Sequence, residues 1–189
     1  MNKLLLTALL AAAASTAHAA PATYAIDPTH TFVTFEIGHF GTSTNRARFD
    51  KKEGTVQFDR AGKAGKVDMT IDMTSVNSGT APFDKHLQSP DMLDAAKFPT
   101  AKFVADKFSF SGDKVTEISG TLTLLGKTNP VTLKATNFNC YDSPMIKREV
   151  CGGDFETTLT RSQYGVSYGL NWGFPDAVKL LIQVEAIKQ

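Results

Sequence analysis

Hydrophobic and polar positions alternate with a period of two through most of the chain. Val67-Asp68-Met69-Thr70-Ile71-Asp72-Met73-Thr74 does so without a fault. Val178, Leu180, Ile182, Val184 and Ala186 repeat the pattern near the C-terminus, with Lys179, Gln183 and Glu185 between them. That period belongs to a strand with one dry face and one wet face. Weaker versions run through 31–37, 54–59, 101–110, 115–124, 131–138 and 155–161. Turn-forming clusters at 60–65, 111–113 and 126–130 separate them. Many strands joined by short turns, without alternating helices, predict an all-β antiparallel meander of about eight strands that closes into a barrel and so removes its edges.

One stretch breaks the period. Phe83, His86, Leu87, Pro90, Leu93 and Ala96 are three or four residues apart, which predicts a short helical segment around 81–98, punctuated at Pro90 and ended before Pro99. Strand parity then assigns faces. Val33, Phe35, Ile37 and His39 share one side, so inward-facing apolar members put His39 near a rim and leave Phe32, Thr34 and Glu36 outside. The same rule puts Met69, Ile71, Met73, Phe103, Leu122, Leu124, Val131, Leu133, Leu180 and Ile182 inside. A strand of eight or nine residues spans about 28 Å, reduced by barrel tilt to roughly 20–25 Å of usable depth.

The N-terminus reads differently. Met1-Asn2-Lys3 is a positive start, Leu4 to Ala14 is an apolar run broken only by Thr7, and Ala17-His18-Ala19 has the small-x-small form that precedes signal cleavage. The expectation is a signal peptide over 1–19, cut near Ala19/Ala20, and a single domain over 20–189. The apolar run is too short for a stable membrane anchor, and no Cys follows it to carry a lipid. The expected location is therefore the periplasm, or beyond it by secretion.

Twenty Lys plus Arg face nineteen Asp plus Glu, a net charge of +1. Removing Lys3 with the signal leaves 19 − 19 = 0. No field remains to attract a polyanion, so nucleic acid is not an expected partner, and electrostatic attraction is a poor way to hold a ligand. Cys140 and Cys151 are the two cysteines. They lack the close C-x-x-C spacing of a redox pair, and an oxidising compartment would let them staple a loop as a disulfide. His30, His39 and His86 are not spaced as metal ligands, and no metal site is expected. There is no G-x-S-x-G elbow, no H-E-x-x-H and no nucleotide fingerprint. Thirteen Phe and five Met furnish either a packed core or the wall of a hollow barrel. Composition leaves both open.

Three motifs carry a family resemblance. Tyr24-Ala25-Ile26-Asp27-Pro28-Thr29-His30-Thr31-Phe32-Val33-Thr34-Phe35-Glu36-Ile37-Gly38-His39-Phe40-Gly41 is one. Asp84-Lys85-His86-Leu87-Gln88-Ser89-Pro90-Asp91-Met92-Leu93-Asp94, followed by Lys97-Phe98-Pro99, is the second. Ile118-Ser119-Gly120-Thr121-Leu122-Thr123-Leu124-Leu125-Gly126-Lys127-Thr128-Asn129-Pro130-Val131 is the third. In this order they resemble the YceI-like family of exported polyisoprenoid-binding proteins. The resemblance implies a lipocalin-like barrel around an elongated apolar pore, a long isoprenoid lipid as ligand, no enzymatic activity and no cofactor beyond the lipid.

The expected lumen residues are those assigned by parity together with His86 and Leu87 from the helical segment. Gln88 and Met92 depart from the Arg and Phe common in the family's helical motif. Loss of that Arg favours a neutral isoprenoid quinone over a polyprenyl phosphate. Two rival readings are a cavity hydrolase or oxidoreductase using His39 or His86, and a surface interaction protein with a filled barrel. Oligomeric state is not legible in the sequence, although a dimer is compatible with it.

Overall fold

The computed structural model describes residues 21–189; the expected signal peptide and its cleavage point lie outside them. Eleven strands and one α-helix follow in chain order: β1 (Ala22–Ile26), β2 (Phe32–His39), β3 (Ser43–Phe49), β4 (Lys52–Asp59), β5 (Ala64–Asp72), β6 (Val76–Asn77), α1 (Ala81–Leu87), β7 (Thr100–Ser111), β8 (Lys114–Leu124), β9 (Lys127–Asp142), β10 (Glu149–Thr160) and β11 (Ala177–Lys188). Eight of them, β1-β4-β5-β7-β8-β9-β10-β11, close into an antiparallel barrel through a β1–β11 pairing. The remaining three, β2-β3-β6, continue the sheet from the same edge of β11.

That arrangement follows from two bends. β11 pairs β1 through 186–188 and β2 through 179–183. The chain between β1 and β2 turns at Asp27, whose carboxylate accepts from the Thr29 amide at 2.8 Å and hydroxyl at 2.7 Å. Thr31, fully buried, then spans the break in the ladder: its hydroxyl donates to the Glu185 carbonyl and accepts from the Glu185 amide, each at 3.2 Å. Backbone groups that would otherwise be buried without partners are thereby paired. β3 and β4 are divided in the same way at Asp50 and Lys51, whose amides donate to the Ser75 carbonyl and hydroxyl. One half of the barrel wall is completed by β1 and β4, the other by β2 and β3.

Among the described residues, β3 has no strand on its second side beyond Arg48 and Phe49, which pair with β6. Residues from α1 and the turns after it line the interior there. Pro82 in the first turn pre-sets the helix start, and the helix ends at Leu87. Residues 88–99 are turns, so the helical segment expected to reach 98 is confined to 81–87. Ser89, which precedes Pro90, is sterically biased away from the helical region, which explains the early stop.

The turn expected over 126–130 is also shorter. Leu125 and Gly126 both have positive φ, 49° and 71°, as a two-residue primed hairpin turn requires, and β9 starts at once with Lys127. Several strands are longer than their alternation predicts. β9 reaches Asp142 and β10 begins at Glu149, with Cys140 directly opposite Cys151 and bonded to it.

Candidate functional site

Alternation places the apolar side chains of the long strands inside the barrel, and they do not fill it. A cavity of about 530 Å³ occupies the half that holds the β2–β3 turn, α1, the β8–β9 turn and the segment 161–176. A second, of about 80 Å³, lies in the other half. Val33, Phe35, Ile37, His39, Ile71, Met73, His86, Leu87, Leu122, Leu124 and Leu180 line the larger one. Met69, Phe103, Leu133 and Ile182 line the smaller, beside Phe58, whose ring centroid lies 6.4 Å from that of Phe108 and 5.7 Å from that of Phe138. Val131, another position assigned inward by parity, is buried in the core. The lumen expected from parity is thus divided into two chambers. Gln88, whose departure from the family motif suggested a neutral ligand, lines neither.

The mouth of the larger cavity is aromatic. Phe40 and Trp172 line it while more than half exposed. His39 lies 5.0 Å from the Phe40 ring and 5.2 Å from Phe174, and Phe40 and Phe174 are 4.5 Å apart. On the opposite flank His86 packs edge-on to Tyr168 at 5.1 Å, and Tyr168 meets Trp172 at 5.2 Å. These contacts join α1 to the 161–176 segment across the opening. Both cavity histidines therefore face rings and not carboxylates. His30 is elsewhere: it is exposed on the β1–β2 bend, where Asp27 at 2.7 Å raises its pKa. Burial pushes the Asp27 carboxyl up, but hydrogen bonds from His30 and Thr29 outweigh it and hold the group at about 2.

The segment 161–176 is tied at its base. The Arg161 amide donates to the Asp176 carbonyl at 2.9 Å, and the Ser162 amide and hydroxyl donate to the Asp176 carboxylate at 2.8 and 2.6 Å. Arg161, 7% exposed, donates from Nε to the Pro175 carbonyl at 3.0 Å and from Nη1 to the Val166 carbonyl at 3.2 Å. It also forms part of the cavity wall. Burial draws its pKa down from the usual range, partly offset by Asp176.

Sequence patterning missed Arg161 and the aromatic lining contributed by Tyr164, Tyr168, Trp172 and Phe174. None lies on a strand or an α-helix: Arg161 closes the run 155–161 but the strand stops at Thr160, and no period marks the four aromatic residues. A signal was present in another form: residues 162–175 contain four aromatic residues and no charged one.

A closed antiparallel barrel enclosing an apolar chamber with a rimmed mouth is the architecture of a lipocalin-like binding protein. The chain matches the YceI-like domain over residues 24–186 and belongs to that family. It is 37% identical to a UPF0312 protein of Pseudomonas aeruginosa over 193 residues, covering 100% of both chains. It is 36% identical over 178 residues to Protein YceI of Salmonella arizonae, covering 93% of this chain and 92% of that one. Among solved structures, BcnA of Burkholderia cenocepacia shares the fold with a TM-score of 0.70 at 24% identity, over 85% of this chain and 98% of that one. A polyisoprenoid binding domain from Saccharophagus degradans shares it with a TM-score of 0.65 at 15% identity, over 89% and 99%.

Proposed function

We propose that this protein binds a long isoprenoid lipid, a quinone or a polyprenyl phosphate, in its barrel and carries or stores it in the periplasm without chemically altering it. The observation that carries the reading is the larger cavity. Its volume of about 530 Å³ is that of a small-molecule site, and its wall is overwhelmingly aliphatic and aromatic. An apolar chain gains affinity there from burial alone, at about 25 cal/mol per Å² removed from water, and needs no directional partner along its length. Met73 and Met92 in the wall adapt to the irregular outline of a branched chain. The smaller chamber continues the same inward faces toward the far end of the barrel. Membership of the YceI-like family and the fold shared with a polyisoprenoid binding domain support the choice of lipid.

The test is to purify the mature chain without detergent, denature it, extract with organic solvent and analyse the extract by mass spectrometry. The expected result is an isoprenoid lipid in amounts comparable to the protein. An extract without isoprenoid, from a protein whose Trp172 emission also fails to respond to added farnesol or farnesyl phosphate, would overturn the reading. Trp172 is the sole tryptophan and lines the cavity, so its emission reports on occupancy directly.

A further inference from the structure

The cavity wall contains one permanent charge. Arg161 is buried, and its Nε and Nη1 are taken by the Pro175 and Val166 carbonyls, while Nη2 has no hydrogen-bond partner. Asp176 does not neutralise it by contact. The hydrogen bonds from Ser162 engage that carboxylate, and no salt bridge joins it to Arg161 among the described residues. Among the described residues no Asp or Glu lines the cavity; its other polar members are Asn45, His39, His86 and the two tyrosines, Tyr164 and Tyr168. A buried guanidinium with an unpartnered donor and no carboxylate in contact with it is costly, even with the Asp176 charge nearby, and an oxygen carrying negative charge offsets that cost far better than a neutral one.

We infer that Arg161 is the seat of the ligand's polar end, and that the ligand is an apolar chain terminated by an anionic oxygen, a phosphate or a carboxylate. This deepens the lipid-binding reading and rests on it. Only the head is selected by charge; the chain is held by the apolar wall. The balanced net charge of the molecule is no obstacle, since the attraction acts at contact inside a chamber that excludes bulk water and is little screened there. Arg161 is also the clamp of the 161–176 segment through its two carbonyl bonds. A head that reaches Nη2, an atom with almost no accessible surface, displaces a neighbouring side chain to do so and contacts the same side chain that clamps the 161–176 segment.

Farnesol, farnesyl phosphate and farnesoic acid share one chain and differ in the head. Affinities read from Trp172 emission and by calorimetry should place both anions about tenfold to a hundredfold tighter than the alcohol, as expected for a charge-assisted hydrogen bond. Arg161→Met should weaken both anions by a larger factor than farnesol and so abolish the preference; Arg161→Lys should keep part of it. Inorganic phosphate alone should not bind measurably.

Equal affinity of the wild-type protein for all three compounds would overturn the inference and leave the lipid reading intact, a comparison that needs no variant to fold. Weakening of all three by the same factor in Arg161→Met would also overturn it, since that is the signature of the clamp alone. Phosphate binding as tightly as farnesyl phosphate would replace the lipid site with a free-anion site. Failure of every farnesyl compound to bind would overturn both readings together.

Discussion

Thr31 illustrates how a single side chain lets one strand serve two neighbours. Its hydroxyl both accepts from and donates to the backbone of Glu185, at the point where β11 passes from β1 to β2. Thr31→Val keeps the shape and removes both bonds, leaving a buried amide and carbonyl without partners. The expected cost is about 1–3 kcal/mol, measured by urea denaturation, with Thr31→Ser retaining most of the stability. Equal stability of the valine variant would show that water takes over the bonds.

Nothing in the sequence announces this role, because one polar residue at the head of an alternating run looks like any strand start. Parity did locate Val33, Phe35, Ile37 and His39 on the cavity side, since a period of two leaves no freedom about which face they share. Arg161 was illegible for the opposite reason. A charge closing the weak alternating run 155–161 reads as solvent-facing, and only the chain's return at Asp176 buries it.

At the level of elements, legibility followed the contrast between faces. β5 and β11 were plain because each alternates cleanly over many residues. β1 is five residues long, and β3 carries Ser43, Asn45, Ala47 and Phe49 on its inward parity, too polar a set for hydrophobicity to mark as a strand. The length of the β9–β10 hairpin beyond its apolar core was likewise hidden, because its outer portion alternates weakly and is held covalently instead. Cys140 and Cys151 are register partners there.

By the loop-closure estimate this crosslink contributes about 3 kcal/mol. The hairpin lies at the end of the barrel away from the larger cavity. Reduction, or replacement of both cysteines by alanine, should therefore lower stability by about that amount and speed hydrogen exchange over 141–150. Ligand affinity should be unchanged. A drop in affinity on reduction would mean that the two ends of the barrel are coupled.

For the whole molecule, the division of the interior into two chambers sets the length of chain it can hold. Phe103 lines the smaller chamber and pairs in register with Leu122, which lines the larger. Phe103→Ala should cost about 3–5 kcal/mol of stability and open the partition. Lipid extracted from that variant should then shift toward longer tails by mass spectrometry. An unchanged distribution would mean that tails end within the larger chamber or leave through the mouth.

β11, finally, sets the order of events in assembly. It is the last strand of the chain, and it is the one on which β1, β2 and β10 all depend for pairing. During synthesis from the N-terminus, the first two strands have no partner on that side until Ala177–Lys188 emerge. Closure therefore joins the most distant parts of the sequence, the kind of contact that forms slowly. Until β11 is made the sheet stays open, and loss of that strand would leave three edges exposed at once.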